Sequence, residues 1–329
     1  MAKLANFFGI HRRFARSINL ERDFDSDDAG RGYILTDRSI NLLTHIFIHS
    51  AESRTASVTT ITSVYGTGKS AFANFLLSLC APAGDPVRQI ALDTAKRSLT
   101  SLQYEKLVEN LPEQGFFRAI ATAQREPLSY AIIRALAFRT STSTTLSKKI
   151  KNLLAKVKDG QIVANSDALS LIQAVLSSTD QPVILVIDEL GKSIEYATLH
   201  QRNDDLYLLQ QIAELSLCNG RSLHLVGLLH QSFADYGYSL ATAQRNEWAK
   251  IQGRLRDFSF SSQPRQMTKL IGQAIAKSLP EKDSKRISAW AKKWHKALNQ
   301  CSITDISIEL IAEAYPIHRS PLWFFLSLQ

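Results

Sequence analysis

Ser63-Val64-Tyr65-Gly66-Thr67-Gly68-Lys69-Ser70 is the stretch that decides the fold of this chain. It follows the pattern G-x-x-x-x-G-K-[ST], with Ser63 in place of the first glycine. The flanks fit. Residues 57–64 are rich in Val, Ile and Thr and read as a strand, and AFANFLLSLC reads as an apolar helix that the turn APAGDP ends. In a strand–loop–helix of this kind the backbone N–H groups and the positive helix end hold phosphate oxygens. Gly66 and Gly68 allow backbone angles that other residues resist. Lys69 is expected to reach the β and γ phosphates of ATP, and Ser70 to bind Mg²⁺ through its hydroxyl. Ser63, Thr67 and Ala71 complete the expected nucleotide-binding set. Ser63 narrows the allowed loop geometry but removes no phosphate ligand.

Working outward, VILVIDEL at 183–190 is an apolar strand that ends in two carboxylates. The first, Asp188, is expected to help hold Mg²⁺. The second, Glu189, is expected to act as general base on the attacking water. Neighbouring strand residues point to opposite sides, so the strand must end here if both are to reach one site. SLHLVGLL then runs into His230-Gln231-Ser232. If this strand lies beside the first, Gln231 or His230 touches the γ-phosphate or the water. Gln231 is preferred, because its amide both donates and accepts; the bland reading is a strand end that caps a turn. Arg254 stands just before the last strand, where ring-forming ATPases place a residue that serves a neighbour's ATP, with Arg245 and Arg256 as alternatives. That role implies a homo-oligomer. The competing reading is a surface ion pair with Asp257 or Glu247.

Strand-like and helix-like runs alternate through the middle of the chain. Strands are expected at 116–122, 183–187, 223–229 and 257–260. Helices are expected from Thr36-Asp37, over 129–138, after the polar loop at 140–147, over 169–176 and over 206–217, with a turn at Asn219-Gly220. The alternation predicts an α/β fold: a three-layer P-loop NTPase with a parallel sheet between helices. Beyond Pro264 the pattern is helical only. Met267, Leu270, Ile271 and Ala274 share one face, and Ile287, Trp290, Ala291 and Trp294 another, as in a small helical lid. The expected division is an N-terminal extension over 1–29, a P-loop ATPase core over 30–262 and the lid over 263–329.

Composition narrows the class. The 329 residues are 45% hydrophobic and 21% charged, ordinary for a soluble globular protein. Cys80, Cys218 and Cys301 are scattered without metal-like spacing, which fits a reducing cytoplasm and no disulfide scaffold. The apolar runs are too short to cross a bilayer, so no membrane partner is expected, and the N-terminal apolar patch precedes its arginines, unlike a secretory signal. The net charge is +9, and residues 245–296 carry all of it, with thirteen Lys or Arg against four acids. That region is a candidate nucleic-acid surface; a solvated helical face is the competing reading.

The order of acid pair, polar strand end and arginine resembles the AAA+ ATPases and the related signal-transduction and origin-recognition ATPases. RSINLERDF, GYILT, YGTGKSAFANFL, VIDELGKSIEYA, LHQSF, EWAKIQGRLRDFSF and AYPIH resemble the N-terminal module of very large bacterial ATP-binding proteins of mobile islands and phage defence. The resemblance implies an AAA+-like ATPase module with long C-terminal domains and further protein subunits as partners. Lys69, Ser70, Asp188, Glu189 and Gln231 keep the roles given above. The expected activity is Mg-dependent ATP binding and hydrolysis that drives a conformational change in a partner or nucleic acid. The alternatives are an ATP-binding switch with little turnover and a truncated, non-catalytic remnant. After His318 the chain departs from the related continuation, YPLHPLTALVL. The observed RSPLWFF is compatible with PLTALVL after loss of one nucleotide, so a frameshifted, truncated lid is expected; the competing reading is a genuine short protein whose terminal aromatics close the lid.

Overall fold

The computed structural model describes residues 7–10, 18–24, 26, 30–49, 57–64, 66–138, 145–200, 203–215, 222–237, 242–260, 272, 274–277, 281–300 and 307–315. Its strands are β1 (Phe8–Ile10), β2 (Ser57–Thr62), β3 (Phe117–Thr122), β4 (Val183–Asp188), β5 (Leu223–Leu229), β6 (Arg256–Ser259) and β7 (Ile275–Lys277). Five of them form one parallel sheet in the order β3-β4-β5-β2-β6. Register is set by strands that are apolar on both sides, as parallel sheets covered by helices require. Along β4, Val183, Leu185 and Ile187 enter one core, while Ile184 and Val186 enter the other. The period of two thus divides one run between two layers.

The first core is closed by Leu128–Ala137, Thr145–Lys158, Asn165–Ser178, Leu190–Leu199, Asn203–Ala213 and Thr242–Gln252. On the other face lie Asp37–Thr44, which continues as a π-helical turn over His45–His49, then Lys69–Leu79, Pro86–Lys96 and Ser101–Glu109. Local chemistry sets the helix starts. Thr36 and Ser39 cap Asp37–Thr44 reciprocally, and Asp85 accepts from Val87 N just before Pro86. Trp248 lies buried against Phe233, its ring centroid 4.6 Å away, and donates through Nε1 to Phe233 O.

The chain divides into two compact units, Ile18–Ser261 and a discontinuous one made of Met1–Ser17 with Ser262–Gln329. In the discontinuous unit β1 pairs antiparallel with β7, with Ile10 opposite Ile275. Helix Glu281–Gln300 packs on Ile308–Ala314, and the Trp290 ring lies 5.2 Å from that of Tyr315. The segment beyond Pro264 is therefore not helical only. Three-residue strands carry no readable period, and β7 gains its ladder from the far end of the sequence. The helix expected over 206–217 ends at Ala213. Met267, Leu270, Ile271, Asn219-Gly220, residues 140–144 and the tail from 316 lie outside the described residues. No helix among the described residues is long and apolar enough to cross a membrane.

Candidate functional site

Because the sheet is parallel, all its carboxyl ends open on one edge, where open α/β sheets bind ligands. β2 feeds the glycine loop there. Gly66 and Gly68 both have positive φ, 79° and 89°, and a Cβ built on either meets nothing within 4 Å. The restriction at these positions is one of backbone angle, and space remains open beside the loop. Gly68 leads directly into helix Lys69–Leu79. Lys69 is buried and curls back, Nζ donating to Ser63 O at 2.5 Å and Val64 O at 2.9 Å. Desolvation lowers its pKa, and the nearby Asp188 and Glu189 carboxylates oppose that shift. Thr67 Oγ1 donates to Val64 O at 3.0 Å, Ala71 is half-buried in the first helical turn, and Ser63 Oγ is buried without a hydrogen-bond partner.

β4 brings the acid pair to the same edge. Ser70 Oγ donates to Asp188 Oδ2 at 3.1 Å, and Glu189 N to Asp188 Oδ1 at 2.9 Å. Burial raises the Asp188 pKa, and the Ser70 and Glu189 hydrogen bonds act against it. Glu189 ends the strand in the left-handed region, at φ 57° and ψ 29°. That turn redirects its carboxylate, so two neighbours reach one site. Glu189 Oε2 lies 2.8 Å from His230 Nε2 and 3.5 Å from Lys192 Nζ. Two glycines make room for this corner. A Cβ on Gly191 would lie 2.0 Å from the Tyr236 hydroxyl, and one on Gly227 would lie 2.2 Å from Leu190 Cδ2.

The strand order decides the architecture. β5 stands between the loop strand β2 and the acid strand β4, so its polar end faces both. This is the architecture of an AAA+-like P-loop NTPase. No protein-family model matches the chain, and no curated protein does. Among solved structures it is similar to the Aeropyrum pernix ORC2 protein in its ADPNP–ADP complexes, at 15% identity and a TM-score of 0.44, covering 89% of this chain and 71% of that one. The ADP form of that protein gives a TM-score of 0.41 at the same identity and coverage. The Drosophila ORC bound to DNA gives 0.34 at 11% identity, covering 91% of this chain and 65% of that one.

Within this P-loop frame the structure gathers Lys69, Ser70, Asp188 and Glu189, and leaves two expected residues outside. Gln231 is exposed, two residues beyond the strand end; it is His230 that meets Glu189. Arg254 is engaged within its own chain, forming an ion pair with Glu214 and donating to Lys250 O at 3.0 Å. Asp257 accepts from Thr60 and Thr62 hydroxyls at 2.8 and 2.7 Å, and the side chain of Glu247, like that of Arg245, lies outside the described residues. Arg256 is exposed on β6.

The residues present fit nucleotide and Mg²⁺. Ser70 Oγ and Asp188 Oδ2 form a pair of hard oxygens beside an open loop. Among the described residues no group of three or more His, Cys, Asp or Glu could hold a metal ion. A two-oxygen protein set suits Mg²⁺, which keeps waters and takes its other ligands from substrate phosphates.

Proposed function

We propose that this chain binds ATP with Mg²⁺ and hydrolyses it. One observation carries the reading: Ser70 and Asp188, 118 positions apart, meet at 3.1 Å beside a glycine loop of open geometry. In this reading Lys69 exchanges its loop-carbonyl contacts for the β and γ phosphates. Ser70 and Asp188 hold Mg²⁺, which when bound neutralises charge on the phosphate oxygens. Glu189 accepts a proton from water as that oxygen bonds to the γ-phosphorus; the bond to the bridging oxygen breaks, and ADP carries the electron pair away. The cycle would act on a partner or nucleic acid, with Arg254 of a second copy as the trans-acting residue once its pair with Glu214 is released.

A second reading, a switch with little turnover, is favoured by the contacts that engage Glu189 with His230 and Lys192. Steady-state phosphate release and equilibrium ATP binding, measured across protein concentrations with and without nucleic acid, separate the two. Turnover that depends on Glu189 supports hydrolysis. Tight binding with no turnover under any condition leaves the switch, and no binding overturns both.

A further inference from the structure

Helix Glu281–Gln300 sorts its side chains by face. At 3.6 residues per turn, Lys285, Arg286, Lys292, Lys293 and Lys296 fall within an arc of about 120°. All five are exposed. Outside that arc, Trp290, Trp294 and Leu298 pack with Ala291, Leu310 and Ile311, and Trp290 and Trp294 lie edge to face. Asp283, the acid that pairs with Arg286 at 3.5 Å, lies outside the cationic arc.

We propose that this cationic face binds the phosphate backbone of a nucleic-acid duplex without reading its sequence. It uses the proposed function only in taking nucleic acid as the class of partner, and it does not depend on hydrolysis. Three features point to a duplex. An amphipathic basic helix seats on a membrane through its apolar side, and here that side is already packed inside the unit. Single strands are gripped by aromatic rings on which bases stack, and both tryptophans of this helix are instead packed on the apolar cluster with Ala291, Leu310 and Ile311. The run from Lys285 to Lys296 spans roughly 16 Å at the helical rise. Duplex DNA carries roughly ten charges over that length, a density no ordinary acidic protein surface matches.

The test uses the full chain and a labelled duplex of about twenty base pairs, with anisotropy followed between about 50 and 200 mM salt. Replacing Lys285, Lys292 and Lys296 by Gln should weaken binding at low salt at least about tenfold, and should flatten the log–log salt slope by about 2.7, near 0.9 per lost contact. The same three changed to Arg should restore both. The three lysines are exposed, so unchanged ATP affinity and circular dichroism of the Gln variant would exclude misfolding. Duplex binding should also survive Lys69→Ala, which keeps failure of this inference apart from failure of the nucleotide reading. An unchanged slope in the Gln variant would overturn the proposal. So would absence of duplex binding at low salt, equal binding to phosphatidylserine vesicles, or preference for oligo-dT with tryptophan quenching.

Discussion

Glu189 is the one non-glycine residue with positive φ among those described. The left-handed turn costs of order 1 kcal/mol or more for such a residue. The geometry brings its carboxylate beside Asp188, which a straight strand would forbid. Glu189→Gln should leave ATP binding intact and slow turnover on the order of 10²–10⁴-fold, the range of general-base losses; unchanged phosphate release would remove Glu189 from the chemistry. Lys69→Ala should weaken Mg²⁺-ATP binding by about 3 kcal/mol, a hundredfold or more, because two charge-assisted bonds to phosphate disappear. Titration by calorimetry reads it, and wild-type affinity would place the nucleotide elsewhere. At this scale the loop and the acid pair were legible because adjacent positions announce them. The contact between Glu189 and His230 was not. Gln231 suited the role better by its amide, but His230 directly follows the strand end, and its ring meets the acid.

At the scale of elements, the five sheet strands were readable to within one or two residues, since β-branched runs between turn signals have few alternatives. Pairings between distant segments were not. Arg254 finds Glu214 forty positions upstream, and β7 finds β1. Arg254→Ala should change the stability of the isolated chain by no more than about 1 kcal/mol, as half-exposed ion pairs do. Mixed with Glu189→Gln protein it should recover activity if the guanidinium serves a neighbouring subunit. Full activity of a strictly monomeric chain would exclude that role. β5 carries its own consequence. His224 is buried in it, its ring tilted against that of Phe116 at 6.4 Å, with Nδ1 unpartnered, and burial, with His45 adding to it, lowers its pKa from 6.5 to about 4. A depressed histidine stabilises fully above its unfolded pKa, and that stability is lost as pH falls from about 6.5 toward 4. The loss should approach about 3 kcal/mol. Urea midpoints at pH 7.5 and pH 4.5 should therefore converge less in the unaltered chain than in His224→Leu, where this share of the acid sensitivity is removed. Equal acid sensitivity in both would mean that His224 is not the source.

At the scale of the molecule, the α/β class and the parallel sheet followed from alternation alone, and the discontinuous second unit did not. Sequence patterns are local, whereas that unit is assembled from the two chain regions that lie farthest apart. Its composition was clearer than its architecture: the basic run was visible, but only the helix shows five exposed cations within one arc while its tryptophans pack on the apolar cluster. The split also bears on how the protein is made. Ile10 leaves the ribosome long before its partner Ile275 exists. At ordinary elongation rates of about 5–20 residues per second, the first strand waits roughly ten seconds to a minute without its ladder. During that interval the whole of Ile18–Ser261 is synthesised. The nascent first strand is thus an unpaired edge, open to chaperones, until Ile275–Lys277 has been made.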